Sequence, residues 1–326
     1  MCGRHARTDC GGNTLLKILR TIEEVRQHTR EWRAEGSSIG CVMTMGALHE
    51  GHLSLVDAAR RECDKAILTL FVNPLQFGPT EDFARYPRTE EADFQALRDR
   101  ACDAVFAPAT ETIFPSGERS MEQVRTQIVV RGLTDLLCGP RRPGHFDGLT
   151  TEVLKMLHIV DCDRTYWGEK DYQQYAVIRA MVEDQGLPVA VVPCPTARDV
   201  DGLALSSRNT YLDAAQRAIA PGLYEELRRG ARRIAEQGVD VVPEVTAQLA
   251  GALLARGFDL VEYVEVHTDS LGPAVAGTPV EALRVFAAVR LGGARLLDNV
   301  AVANEVAVAN EVAVANDVAV ANEAGR

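Results

Sequence analysis

No stretch of this chain is apolar for long enough to span a bilayer, and its first residues lack the apolar segment of a secretory signal. A membrane-spanning or exported protein is therefore not expected. Positive charge is also scarce: 35 Lys and Arg against 46 Asp and Glu leave a formal net charge of -11. A nucleic-acid or anionic-membrane binder needs a basic surface, so neither kind of partner is expected. Any anionic ligand must be met by a few basic side chains gathered locally. Paired cysteine spacing is missing as well. The eight cysteines fall singly at positions 2, 10, 41, 63, 102, 138, 162 and 194. Several lie in apolar runs, where a thiol behaves as a small hydrophobe, which suits reduced, structural cysteines in a cytoplasmic protein. Cys2, His5 and Cys10 could suggest a metal site, but no core-forming pattern surrounds them.

What is present is ordinary globular material, 326 residues with 46% hydrophobic and 25% charged side chains. That length favours two cores over one. The most informative stretch is Met43-Thr-Met-Gly-Ala-Leu-His-Glu-Gly-His52. The run Ile39 to Met43 before it is short, continuous and apolar, as a parallel strand covered on both faces should be. Leu53 to Arg60 after it has a helical apolar pattern. A helix starting there aims free N–H groups and the positive end of its dipole at an anion. Gly46 and Gly51 let the backbone turn and approach a ligand. His49 and His52, three residues apart, would stand side by side as two donors to one phosphate. Glu50 would point away from both, and no third metal ligand lies at suitable spacing.

Taken in order, residues 1–14 read as a disordered lead-in and Thr21 with Glu24 as a capping box opening a helix that ends at Gly36. A second strand, Lys65 to Val72, delivers Asn73 and Gln76 beyond the sheet. Thr89 to Arg100 reads as a helix, Ala104 to Phe106 as a strand and Glu111 to Glu122 as a loop. Gly139-Pro-Arg-Arg-Pro-Gly144 is a basic turn whose arginines either stay solvated or help close a polyanion site. Thr150 to Val160 is expected to be helical, Arg164 to Gly168 a strand, Asp171 to Gln185 a helix and Val189 to Pro193 a strand. The alternation predicts an α/β, Rossmann-like, doubly wound parallel sheet over residues 15–196. Lys170 beside a helix start opposes the helix dipole, which hints at a phosphate between them.

A smaller α+β domain is expected over 197–299, with helices from Ala214 to Gln237 and Pro243 to Arg256 and strands from Leu260 to His267 and Leu283 to Val289. Ser206-Ser-Arg-Asn209 on the connection reads as a lid over phosphates, or more simply as helix capping. From Val300 the chain repeats Val-Ala-Val-Ala-Asn-Glu, with Asp317 in one copy. The repeat, 300–326, is expected to be a low-complexity extension beyond a fold that closes at Asn299.

The histidine stretch resembles the His-x-Gly-His signature of adenylate-forming and nucleotidyl-transferring α/β enzymes. Its longer form resembles the pantothenate synthetase family. Further blocks in the family's order are Phe71-Val-Asn-Pro-Leu-Gln-Phe-Gly78, Tyr86-Pro-Arg-Thr89, Arg142-Pro-Gly-His-Phe-Asp-Gly148, Gly168-Glu-Lys-Asp-Tyr-Gln-Gln174 and Asp201-Gly-Leu-Ala-Leu-Ser-Ser-Arg-Asn209. The similarity runs from about Thr21 to Asn299. Met43, Ala197, Asp199 and Leu205 depart from it without removing a required polar group.

The resemblance implies ATP-dependent condensation of (R)-pantoate with β-alanine through a pantoyl adenylate, releasing AMP and diphosphate. A nucleotidyltransferase of the same superfamily acting on another small acid is the alternative. Implied catalytic residues are His52, His49 and Lys170. Implied ATP contacts are Met45, Gly46, His49, Gly51, His52, Gly168, Glu169, Lys170, Asp171, Ala197, Leu205, Ser206, Ser207 and Arg208. Gln76 and Gln174 are implied for pantoate, and Gln76 also for β-alanine. Mg²⁺ is expected to bridge the ATP phosphates, with no protein ligand assigned, and the resemblance implies a homodimer.

Overall fold

The computed structural model describes residues 15–79 and 81–305. The lead-in 1–14, with Cys2, His5 and Cys10, and the repeats from 306 onward lie outside the described residues. The first unit runs β1 (Lys17–Leu19), α1 (Ile22–Ala34), β2 (Ile39–Thr44), α2 (Glu50–Glu62), β3 (Lys65–Leu70), α3 (Glu90–Asp99), β4 (Ala104–Phe106), α4 (Thr110–Ile113), α5 (His145–Val160), β5 (Arg164–Gly168), α6 (Tyr172–Asp184) and β6 (Ala190–Cys194). Its six strands pair in parallel in the order β1-β4-β3-β2-β5-β6. The chain winds outward from β2 through β3 and β4, then returns to place β5 on the other side of β2. The crevice between the carboxyl ends of β2 and β5 is therefore the switch point, where such sheets bind ligands.

Alternation along the strands feeds two cores. Cys41 of β2 and Trp167 of β5 pack with α5 and α6 on one face, whereas Val42 and Tyr166 pack with α2 and α3 on the other. The Thr21–Glu24 capping box is formed, and Gly36 turns the chain after α1 with φ +78°. Two expectations for this unit need correction. The segment Glu111 to Glu122 is not all loop, since it holds part of α4 and a 3₁₀ turn at Met121–Gln123. Helix α5 begins at His145, not Thr150. Its Gly148 lies where an added Cβ would stand 2.2 Å from the Leu75 carbonyl oxygen, so that glycine permits close packing inside the helix and does not end it.

The second unit holds α7 (Ala214–Ile219), α8 (Gly222–Gln237) and α9 (Val242–Ala255) over an antiparallel sheet of β7 (Leu260–Thr268), β8 (Leu283–Leu291) and β9 (Ala294–Ala301). The helix expected from Ala214 to Gln237 is two, separated at Ala220-Pro221, where proline supplies no N–H to continue the ladder. Strand β9 was not anticipated. Leu291 pairs with Ala294 across Gly292-Gly293, a two-residue glycine hairpin that was the available signal.

The expected closure of the fold at Asn299 is also too early. β9 runs to Ala301 and a helical turn continues to Glu305. Val300 and Val302 are buried in the second core, and Glu305 is buried beneath Arg228 and Arg232. The first copy of the repeat is thus part of the fold.

Candidate active site

Chain reversal after β2 depends on two left-handed residues, Gly46 and Ala47. Asp93 of α3 holds the turn, its carboxylate accepting from the N–H groups of Ala47 at 3.0 Å and Leu48 at 2.8 Å. Helix α2 then starts with His49 as its cap. The His49 Nδ1 accepts from the Gly51 N–H at 3.1 Å, which leaves the ring's proton on Nε2 as a free donor. A Cβ on Gly51 would lie 2.9 Å from that ring, so only glycine leaves room for the cap. The rings of His49 and His52 lie 4.0 Å apart. Burial is the first cause that pulls His49 down to about 4 and His52 to about 3; Lys170 lowers His49 further, and His52 is lowered further because the adjacent rings cannot readily both be protonated. Both imidazoles are therefore neutral hydrogen-bonding groups at neutral pH. The buried Nδ1 of His52 has no partner among the described residues.

Across the switch point, Gly168 ends β5 and a 3₁₀ turn at Glu169–Asp171 leads into α6. Lys170 Nζ stands 3.5 Å from the Asp171 carboxylate. Asn299 of β9 donates to the carbonyls of Glu169 at 2.8 Å and Lys170 at 3.0 Å, so the second unit clamps the lysine turn. After β3, Asn73 performs turn chemistry: it accepts from the Leu75 N–H and donates to the Gly148 carbonyl. That turn aims the buried Gln76 at the cleft. His145 donates from Nδ1 to the Gln76 carbonyl at 2.8 Å, so its Nε2 accepts from Arg142 at 2.9 Å, and Arg142 in turn forks onto Glu81. Burial, then Arg142, holds His145 down at about 3.

The connection between units supplies Ser206, which caps Arg208, and Ser207, whose hydroxyl meets Tyr86 at 3.2 Å. Arg208 forks onto Asp82 at 3.0 and 2.9 Å. Arg141 is likewise engaged, donating to the carbonyls of Glu262 and Leu137.

Met45, His49, Gly51, His52, Gln76, Gly168, Lys170, Asp171, Gln174, Ala197, Leu205, Ser206, Ser207 and Arg208 all line one cleft of about 420 Å³. Gly46 and Glu169 do not. Gly46 serves the turn beside Asp93, and the Glu169 side chain lies 3.7 Å from Arg284 while its carbonyl takes Asn299. Residues that sequence reasoning passed over include His145 and Glu152, which also line the cleft. His145 stood inside a family block without a role, and Glu152 gave one signal, an acid in the apolar run of α5.

Residues 17–301 match the family model described as pantoate-beta-alanine ligase. The chain belongs to that family. Pantothenate synthetase 3 of Frankia alni is 85% identical over 285 residues, covering 87% of this chain and 97% of the relative. The Dinoroseobacter shibae pantothenate synthetase is 47% identical over 288 residues, 88% of this chain and 99% of its own. Among solved structures, pantothenate synthetase from Thermus thermophilus superposes with a TM-score of 0.79 at 41% identity, covering 88% of this ligase and 99% of that chain. The pantoate-beta-alanine ligase of Francisella tularensis, complexed with beta-gamma ATP and beta-alanine, has a TM-score of 0.72 at 32% identity, covering 88% and 98%. No helix among the described residues of this ligase is long and apolar enough to cross a membrane.

Proposed function

We propose that this ligase condenses (R)-pantoate with β-alanine in two steps at the β2–β5 crevice. The pantoate carboxylate attacks the α-phosphate of ATP and diphosphate leaves. The β-alanine amine then attacks the acyl carbon of the pantoyl adenylate and AMP leaves. The single observation that carries this assignment is the adjacent, neutral pair His49 and His52 at the start of α2, in the same cleft as Lys170. Neutral imidazoles can donate to phosphate oxygens, and their dipoles gain strength as negative charge grows at the α-phosphate. In this reading His52 is the principal donor, His49 assists from Nε2, and Lys170 and Arg208 neutralise the triphosphate. Met45, Gly51, Gly168, Asp171, Ala197, Leu205, Ser206 and Ser207 form the rest of the ATP surface. Gln76 and Gln174 hold pantoate through neutral amides, which bind a carboxylate without quenching its nucleophilicity, and Gln76 also borders β-alanine.

Mg²⁺ fits this donor set only as a companion of the nucleotide. Among the described residues no group of three or more His, Cys, Asp or Glu could hold a metal. Glu81 and Asp82 are each forked by an arginine, whereas Asp171, paired with Lys170, is a cleft carboxylate that could share such an ion. Bound on the phosphates, Mg²⁺ would supply charge neutralisation. We include a homodimer in the proposal, to be checked by analytical ultracentrifugation. The cysteines at positions 41, 63, 102, 138, 162 and 194 are buried side chains of the two cores, which agrees with a reducing cytoplasm. The deciding experiment supplies pantoate, β-alanine and ATP and identifies the nucleotide product. AMP formed only when pantoate is present is expected; ADP as the stoichiometric product would reject adenylation.

A further inference from the structure

Helix α5 presents His145, Gly148 and Glu152 along one face, since residues three and four apart on a helix lie one above the other. His145 and Gly148 meet the backbone of the Asn73–Gln76 turn. Glu152 lies about one turn further on, so it lines the cleft about 6 Å along the helix from the glycine that seats Gln76. Its side chain is buried, and it forms no hydrogen bond or ion pair among the described residues. Burial alone pushes its carboxyl up to about 8. At neutral pH the group is therefore mostly the acid, which can donate and accept one hydrogen bond each.

A second polar group in the same cleft also lacks a partner. Trp167 of β5 is 5% exposed and lines the cleft, and its indole N–H meets no acceptor among the described residues. Trp167 packs in the core on the α5 side of the sheet, the same face from which Glu152 projects. An orphaned indole donor and a buried acid line one cavity, and burying a polar group without a partner is costly. The same cleft is also lined by apolar side chains, including Met43, Phe71, Leu149 and Val153. A ligand completing this set needs a carboxylate at the nucleotide end, an apolar middle, and a far group that both accepts and donates a hydrogen bond. A hydroxyl is the simplest such group.

We propose that Glu152 and Trp167 form a hydroxyl-recognising subsite that receives the distal hydroxyl of the hydroxy-acid substrate and so sets which acids this ligase activates. The proposal rests on the reading that pantoate is that acid. In this arrangement the indole N–H donates a hydrogen bond to the hydroxyl oxygen, the hydroxyl donates one to the carbonyl oxygen of the Glu152 acid, and no proton transfer or covalent step involves either residue. Both are specificity residues rather than catalytic ones.

The test compares pantoate with its 4-deoxy analogue, 2-hydroxy-3,3-dimethylbutanoate, by AMP release with ATP and β-alanine. The wild-type enzyme is expected to prefer pantoate by roughly ten- to hundredfold in kcat/KM, the usual effect of leaving buried hydrogen-bonding groups unsatisfied. Glu152→Val should raise the KM for pantoate by a similar factor and bring the ratio of the two acids toward one, with the KM values for ATP and β-alanine unchanged. Glu152→Gln, which still donates and accepts, should keep most of the preference, and Trp167→Phe should lose part of it. A preference unchanged in both Glu152→Val and Trp167→Phe would overturn the subsite. So would a Glu152→Gln enzyme that forms adenylate normally but cannot pass the acyl group to β-alanine, which would make Glu152 a base. Failure of the wild-type enzyme to release AMP from pantoate would instead overturn the substrate reading, and the subsite with it.

Discussion

Truncation separates the packed first copy of the terminal repeat from the copies beyond it. A chain ending at Asn299 loses Val300 and Val302, which are 4% and 0% exposed in the second core. It also loses the ladder pairs Val285 with Val300 and Arg284 with Ala301. Burying a valine side chain stabilises by about 1.5–3 kcal/mol, so the two together account for about 3–6 kcal/mol. Loss of Glu305 adds little, because Arg228 and Arg232 are 37% and 53% exposed and water can take its place. A total in that range is a large fraction of the stability of an ordinary domain. At about 2.1 cal/mol/K per residue, roughly 290 described residues give an unfolding entropy near 0.6 kcal/mol/K, so Tm should fall by about 5–10 °C. A chain ending at Glu305 keeps every described contact and should melt within about a degree of the full-length protein. Scanning calorimetry on the three lengths checks both values. The 1–299 chain should also lose activity, because Asn299 then becomes a frayed terminus and its clamp on the Lys170 turn loosens. Equal melting of 1–299 and 1–305 would refute the seating of Val302.

His52→Ala should slow pantoyl-adenylate formation by on the order of a hundredfold or more while leaving Tm nearly unchanged, measured by single-turnover release of diphosphate. Supplied with preformed pantoyl adenylate, the same variant should transfer the acyl group to β-alanine far better than it makes the adenylate; an undamaged first step would transfer the donor role to Lys170. Gly148→Ala puts a Cβ 2.2 Å from the Leu75 carbonyl oxygen, so it should cost on the order of 1–3 kcal/mol in a urea titration and raise the KM for pantoate by shifting Gln76; a variant as stable as wild type would show that α5 is not pressed against that turn. For Glu152 the sign is set by a folded pKa raised to about 8 above an ordinary value of 4.5. The native state is penalised as pH rises through that window, so Glu152→Gln should gain stability relative to wild type between pH 5 and pH 8, by on the order of 2–4 kcal/mol. A difference independent of pH would mean the carboxyl is solvated.

Local signals in this chain were sufficient wherever the deciding interaction is short in sequence. The Thr21–Glu24 box, the apolar runs of β2, β3 and β5, and the histidines flanking a helix start depend on neighbours within one or two turns, so period and capping chemistry expose them. The resemblance blocks then supplied the family, because their order along the chain survives whatever the packing does. Contacts between distant segments were not legible. Gly148 is a helix residue packed directly against the carbonyl of Leu75, far off in sequence, and Gly46 belongs to a turn whose next two N–H groups are held by Asp93. Val300 and Val302 look like any other copy of their repeat. Their burial comes from the strand partner and helix beside them, which only the tertiary structure brings into place. Glu152 is the sharpest case: its charge in the sequence suggests solvent, and the fold instead places it in an apolar wall of the cleft, where burial changes its protonation state and with it what it can bind.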